Sequence, residues 1–462
     1  MVKSSSRRRF VVGTLGCCVG AIAPAAPASA DVTGVWSGFL DADDPPTRLT
    51  LRVTGRTSAE LVVVGMGALP LNRFHMADGR MEFGTDRPRL TFEGQLDRNG
   101  DVVGALRRGE GNIPLTFLRG DLYTEPPMPP ARPGPITPDS LQALRTAAGC
   151  PAMGVAWQVA DRAPRVIVDG WRSTTSRVPV QVDDRWHLGS VTKNMTATLA
   201  ARLVERGLLD WTTPLGDVLG SRMPDMQAAY RSLTLLHLLC HRGGLVRDVS
   251  EDAYIRLPAQ AQRTAYVRAG LREPPLGPAG VDMVYSNVDY VTAGLMLELV
   301  GGAPWEELLA RHVLQPLGLH DAGFGPPGSA DGVDQPQGHR MGARGLEPVR
   351  TDIPVAMGPA GRVNMALPDL VTYLRAHRDR PTAFLRPASW DRLHTPPFGG
   401  DYALGWEVGP AGVLSHGGTN AWWKSEVRVD PARRLVCAAV TNVLNVNGQK
   451  ALLELEDGAA SA

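Results

Sequence analysis

Seven prolines fall between Thr124 and Pro138, at positions 126, 127, 129, 130, 133, 135 and 138. Proline locks φ and removes a backbone donor, so neither a helix nor a ladder strand runs through such a stretch, and it reads as an extended connector. A chain divided in this way folds as two bodies, and 462 residues are enough for both. Hydrophobic residues at 43% and charged residues at 21% let each side bury a core, which excludes a disordered or fibrous chain.

Ahead of both bodies stands an address. Ser6-Arg7-Arg8-Arg9-Phe10-Val11 leads into an apolar run from Val11 to Ala23, and Ala28-Ser29-Ala30 offers a small-x-small cleavage site. Residues 1–30 are therefore expected to be an export signal of the twin-arginine type, which sends the folded protein to the periplasm or beyond. The run is shorter than the roughly 20 residues of a membrane helix, so no transmembrane anchor is expected. Lipidation at Cys17 is the weaker alternative, because Thr14-Leu15-Gly16 is a poor lipobox. Removal of the signal leaves 44 basic against 47 acidic side chains. That balance argues against a nucleic-acid partner, which would need a basic face.

From residue 31 to 123 the chain alternates in short runs: Arg48 to Val53, Leu61 to Val64, Arg80 to Phe83, Arg89 to Glu93, Asp101 to Leu106 and Pro114 to Leu118. Turn residues such as Asp78-Gly79 and Asn99-Gly100 lie between them. Period-2 runs with turns every 8 to 12 residues predict a small antiparallel all-β barrel-like domain. Its opening, Gly34-Val35-Trp36-Ser37-Gly38, resembles the start of small lipocalin-like barrels. No cluster of acid, base and nucleophile appears there.

After the 124–138 linker, residues 139–462 mix the two periods. Helices are predicted over Asp139 to Ala148, Asn194 to Arg206, Val288 to Val300 and Trp305 to Leu314. Strands are predicted over Met153 to Ala160, Arg165 to Asp169, around Leu414, and over Glu426 to Asp430 and Leu435 to Thr441. Strands at both ends with helices between predict an α/β (α+β) domain: an antiparallel sheet whose first and last strands are neighbours, flanked by helices, with a helical subdomain. Cys150, Cys240 and Cys437 have no disulfide-like spacing and read as buried core residues.

Chemistry is concentrated in three places. Gly189-Ser190-Val191-Thr192-Lys193 stands where an extended segment turns into a helix. Residues three apart share a helix face, so the Ser190 hydroxyl and the Lys193 amine come within reach, and a helix N-terminus adds positive potential. A desolvated lysine loses pKa and can serve as a base. Lysine is scarce: only Lys3, Lys193, Lys424 and Lys450, against 44 arginines, so about 0.1 Ser-x-x-Lys is expected by chance after residue 30. Tyr285-Ser286-Asn287 precedes another helix. A phenol near an ammonium can sit as phenolate and take the serine proton, and the amide can orient a substrate carbonyl; the plain alternative is a capping Asn beside a buried Tyr. His416-Gly417-Gly418-Thr419 follows a strand-like run, and paired glycines let a substrate backbone approach.

Ser-x-x-Lys, then Tyr-x-Asn, then a basic residue with glycines resembles the penicillin-recognising serine hydrolases. The resemblance runs through residues 139 to 443: Trp186 to Lys193 looks like the nucleophile segment, Leu235 to Leu245 like a loop usually written His-Thr-Ser-Gly-Leu, and Gln315 to Leu319 like a further marker. Its nearest branch is the class C β-lactamase-like one, with family VIII esterases and D-amino-acid peptidases. The resemblance implies that Ser190 is acylated while Lys193 and Tyr285 manage its proton. It also implies that Asn287, His416, Gly417 and Gly418 bind substrate and that the N–H groups of Ser190 and Thr419 form the oxyanion hole. The partner is then a small-molecule or peptide acyl substrate, and the chemistry calls for no cofactor and no metal. Nothing in the sequence specifies an oligomeric state.

His416 stands where β-lactamases carry a lysine, so a permanent charge that grips a substrate carboxylate is missing. An ester, or a peptide ending in a D-amino acid, is the expected substrate at least as much as a β-lactam. Trp422-Trp423 reads as a pocket wall or as packing. No serine lies in Gly-x-Ser-x-Gly and there is no His-Glu-x-x-His, which sets aside an α/β-hydrolase and a zinc hydrolase. His237, Cys240 and His241 have ligand-like spacing, a minor metal reading. The competing class is a non-catalytic receptor of cell-wall fragments on the same fold.

Overall fold

The computed structural model describes residues 33–40, 47–63, 67–86, 89–98, 100–108, 111–120, 135–342 and 345–461. The export signal, Cys17 and most of the proline-rich stretch lie outside them. The chain divides into two compact units, Met1–Thr124 and Glu125–Ala462.

Among the described residues the first unit is one antiparallel sheet of nine strands: Gly34–Leu40, Thr47–Gly55, Ser58–Val63, Gly67–Leu69, Leu71–Ala77, Arg80–Asp86, Arg89–Leu96, Val102–Arg108 and Gly111–Arg119. Each pairs with its sequence neighbour except at one break, and the first pairs with the last, Trp36 opposite Arg119. The two edges are Gly67–Leu69 and Leu71–Ala77, consecutive in the chain, so the sheet curls into a nearly closed barrel. Alternation sends Leu49, Leu51 and Val53 inward, where Phe83 stacks on Phe92 at 5.0 Å and Phe117 meets Phe92 edge-on at 5.2 Å. Strand Leu71–Ala77 was not legible because it buries only Phe74 and Met76 fully.

The second unit is built on seven antiparallel strands in the order Ser176–Pro179, Arg165–Ser173, Ala152–Val159, Leu435–Thr441, Lys424–Asp430, Leu414–Thr419, Glu407–Val408. The early strand Ala152–Val159 lies beside the late strand Leu435–Thr441, Met153 opposite Thr441, as expected for a sheet that joins the two ends of the domain. Odd and even residues separate into two cores. Met153, Val155 and Trp157 pack with Cys437 and Ala439 under the terminal helices Pro138–Ala147 and Val446–Ala460. Ala152 and Ala156 face the larger helical body with Leu367, Val427 and Val440. Cys150, Cys240 and Cys437 are buried, and none forms a disulfide among the described residues.

Two helices of that body carry most of the site. Thr192–Glu205 is buried from Thr192 to Ala201, and its small residues Thr196, Ala197, Ala200 and Ala201 allow neighbours to approach on several sides. Asn287–Gly301 is buried from Val288 to Leu297 and stops at Gly302, whose φ of 69° is the left-handed conformation that ends helices. The expected helix from Trp305 is shorter than its pattern: Trp305–Leu309 gives way to a wider turn, Ala310–Leu314. No helix among the described residues is long and apolar enough to cross a membrane.

Candidate active site

Ser190 occupies a single tight turn, Gly189–Val191, between strand Arg185–His187 and helix Thr192–Glu205. Gly189 has φ 51°, and a Cβ there would lie 2.3 Å from the backbone N of Thr419. Glycine is therefore required, and the end of strand Leu414–Thr419 rests directly against the Ser190 turn.

One turn further on, Lys193 is wholly buried. Its Nζ stands 2.8 Å from Asn287 Oδ1, 2.8 Å from the Ala360 carbonyl and 3.1 Å from Ser190 Oγ. Burial lowers its pKa to about 7, although Asp248 and Asp289 pull the other way. Once neutral, the amine keeps its two hydrogens on the two strong acceptors, and its lone pair is left to the Ser190 hydroxyl. An amine so placed can act as a general base.

Tyr285 comes from the residues before helix Asn287–Gly301. The capping residue is Ser286, whose Oγ accepts from Asp289 N at 3.1 Å, and not Asn287. The Lys193 ammonium lies over the Tyr285 ring, 4.9 Å from its centre. The expected phenolate is not the resting form: burial raises the phenol, outweighing a hydrogen bond with Ser190 that lowers it. Asn287 is oriented by three contacts. Its Oδ1 accepts from Lys193, its Nδ2 donates to Asp248 Oδ2 at 3.0 Å, and its N–H donates to the Arg247 carbonyl.

His416 joins the group but is not free to grip a ligand. Its Nδ1–H donates to the Gly417 carbonyl at 2.7 Å, and Nε2 accepts from the Tyr402 hydroxyl at 2.9 Å. Burial, with Lys193 adding to it, lowers its pKa to about 3, so the ring is neutral. The glycines that follow make room for protein. A Cβ on Gly418 would fall 2.0 Å from the Leu188 carbonyl, and one on Gly417 would meet Lys424 Nζ and Glu426 Oε2 at 2.9 Å. The far edge of this strand pairs with Glu407–Val408 only at Ser415 and Leu414, so sheet pairing leaves the edge from His416 to Thr419 open. Thr419 is exposed, and Ser190, Tyr285 and Asn287 are half-buried.

Sequence reasoning missed several members of the group. Asp248, which orients Asn287, sits in a loop with no pattern to mark it. His241 lies 4.4 Å from the Tyr285 ring, and its Nδ1 is 3.2 Å from Asp289 Oδ2. Its φ of 59° turns it inward past the end of helix Leu235–Leu239. That turn separates it from His237, which bonds Thr234, so the ligand-like spacing does not make a shared site. Trp422 and Trp423 are both buried, with Trp423 packed edge-on against Trp186.

Residues 143–460 match the family model described as Beta-lactamase. Penicillin-binding protein 4 of Amycolatopsis lactamdurans is 29% identical over 329 residues, spanning 66% of this chain and 84% of its own. The D-alanyl-D-alanine-carboxypeptidase/endopeptidase AmpH of Escherichia coli (strain K12) is 27% identical over 221 residues, 46% of this chain and 54% of its own. Two solved structures share the fold. EstCE1, a hydrolase with promiscuous acyltransferase activity, gives a TM-score of 0.60 at 19% identity over 70% of this chain and 98% of its own. D-amino acid amidase from Ochrobactrum anthropi SV3 gives 0.57 at 19% identity over the same shares, 70% and 98%. A match running from residue 143 to 460, well over half the length, means that the chain belongs to the beta-lactamase family.

Proposed function

We propose that the protein is a serine hydrolase that cleaves an ester or amide through a covalent acyl-enzyme on Ser190. The observation that supports this best is the anchoring of Lys193: two fixed acceptors and a pKa near 7 leave its lone pair for the serine proton. In this reading neutral Lys193 takes the Ser190 proton as Oγ attacks the acyl carbon. The tetrahedral oxyanion receives the backbone N–H groups of Ser190 and Thr419, each such donor being worth about 2.7 to 4 kcal/mol. The proton on Lys193 passes by way of the Tyr285 phenol to the leaving group as the carbonyl re-forms. Water then enters by the reverse path, and the acid product leaves.

The substrate lies along the open edge of His416 to Thr419. A ring neutral at working pH and engaged at both nitrogens offers a carboxylate little, so neutral esters and amides are favoured over β-lactams. The signal-like pattern of residues 1–30 supports export of the enzyme. Labelling with a fluorophosphonate probe, followed by intact-mass detection of the adduct, tests the reading. The adduct is expected on the parent and absent from Ser190→Ala; equal labelling of both refutes it. Short p-nitrophenyl esters, nitrocefin and a D-Ala-D-Ala peptide then rank the substrate classes, with the esters expected first.

A further inference from the structure

Beside the catalytic group, and sharing no residue with it, lies a second buried polar cluster centred on Asp352. The side chain is 2% exposed. Its Oδ2 accepts from His187 Nε2 at 3.1 Å and from Arg362 Nε at 3.1 Å. Its Oδ1 accepts from Asn420 Nδ2 at 2.8 Å and from the backbone N of Ile353 at 2.8 Å. Four donors saturate a carboxylate; burial pushes its pKa up, but His187, Arg362 and Asn420 outweigh it and lower the value to about 2.

Two of those donors lead back to the reacting centre from opposite sides. His187 Nδ1 accepts the N–H of Gly189 at 3.1 Å, which puts the ring proton on Nε2, the atom facing Asp352. The carboxylate therefore sets the tautomer and orientation of a ring that holds the turn carrying Ser190. Asn420 directly follows Thr419, and its Oδ1 accepts from Trp422 N at 3.3 Å, which closes the bend after the strand. The turn and the strand end touch at Gly189 and Thr419, where there is no room for even a methyl group. Steric contact stops them from approaching further. It does not stop them from sliding or parting, whereas hydrogen bonds to one shared carboxylate do both.

We propose that Asp352 is a positioning residue for oxyanion binding: it ties the turn before Ser190 to the residue after Thr419 and so fixes the relative placement of their two backbone N–H groups. This rests on the acyl-enzyme reading. Two donors serve one oxygen only if both point at the same spot, and a displacement of about 1 Å can cost about 100-fold in rate. With its oxygens taken by four protein donors, the carboxylate has little to offer a substrate, so its loss is felt in the transition state and hardly in ground-state binding.

The test is Asp352→Asn, assayed on a p-nitrophenyl ester with the folded fraction measured by active-site titration. The expected result is a kcat lower by about 10- to 100-fold with KM changed by less than about threefold. Affinity for an arylboronic acid, whose tetrahedral adduct places an oxygen in the oxyanion position, is expected to fall in parallel with kcat. A merely structural role would lower the titratable fraction and leave both quantities alone in the molecules that fold. A kcat and a boronate affinity within about twofold of the parent would overturn the proposal. If Asp352→Asn does not accumulate as folded protein, Asn420→Ala removes one arm of the cluster. It is expected to lower kcat and boronate affinity together by about tenfold, and parental values for both would overturn the proposal. The two failures are separable. Turnover by Ser190→Ala would sink the acyl-enzyme reading and this proposal with it, whereas an inactive Ser190→Ala beside a parental Asp352→Asn sinks this one alone.

Discussion

Asp289 Oδ2 lies 3.2 Å from Nδ1 of His241, in a pair with no solvent exposure packed against the Tyr285 ring. Burial drives the Asp289 carboxyl well above the usual range, with Lys193 opposing. Burial, then the nearby Lys193 and His416, drives the His241 imidazole well below its ordinary value. Both shifts favour the uncharged forms, a carboxylic acid beside a neutral ring. Lys193 loses its proton close to neutrality because its own burial outweighs the upward pull of Asp248 and Asp289.

If that pair is uncharged, Asp289→Asn replaces one neutral group with another. The acid limb of the kcat/KM profile should move by less than about half a pH unit. An ionised Asp289 would instead have been holding the Lys193 proton, and its removal would shift the limb down by more than about one unit. A pH–rate profile of the variant distinguishes the two.

Because the base must be unprotonated, kcat/KM for a neutral ester should rise about tenfold per unit below pH 7 and level off above it. Lys193→Met should abolish that limb and lower kcat/KM by about 10² to 10⁴. Stability carries the same signature. The folded pKa lies below the unfolded one, so the unfolded chain binds more protons between about pH 7 and 10.5. Stability relative to Lys193→Met should therefore increase as pH rises through that window, as measured by denaturant titration at several pH values.

Burial raises the Tyr285 phenol and keeps it protonated, which in the proposed reaction suits it to supply a proton to the leaving group. Loss of the phenol in Tyr285→Phe should then depend on what is leaving. An amide, whose nitrogen must be protonated, should lose about 10² to 10⁴ in kcat, whereas a p-nitrophenyl ester, whose phenolate leaves unaided, should lose about tenfold. Equal losses on the two substrates would remove Tyr285 from that role.

Ser286 caps helix Asn287–Gly301 and also donates to the Val246 carbonyl at 2.7 Å, so one hydroxyl ties the helix to the loop bearing Asp248. Ser286→Ala should cost about 1 to 2 kcal/mol of stability, seen as a lower denaturation midpoint.

Repeat geometry made much of the fold legible. Period-2 runs such as Arg48 to Val53 mark strands with one buried face, and the barrel-like sheet follows from them. The segments Met153 to Ala160 and Leu435 to Thr441 announce a sheet joined at its ends, and they do pair. Strand Leu71–Ala77 escaped because so little of it faces the barrel core, and no periodicity survives that thinning. Around the candidate site, the residue types at 190, 193, 285 and 287 were readable because each sits at a helix start. The glycines at 417 and 418 were readable as a need for space but not for its cause, since the atoms that crowd them belong to Leu188, Lys424 and Glu426.

The amino-acid order alone determined that a hydroxyl and an amine stand one helical turn apart, because that spacing follows from the helix wherever it is placed. It could not determine that the amine is a base at neutral pH. That property comes from desolvation and from acceptors 94 and 167 positions away, at Asn287 and Ala360. Nor could it join His187 to Asn420 through Asp352, or pair His241 with Asp289. Such links are made by packing, which brings distant segments out of water together and thereby sets both their protonation and their aim.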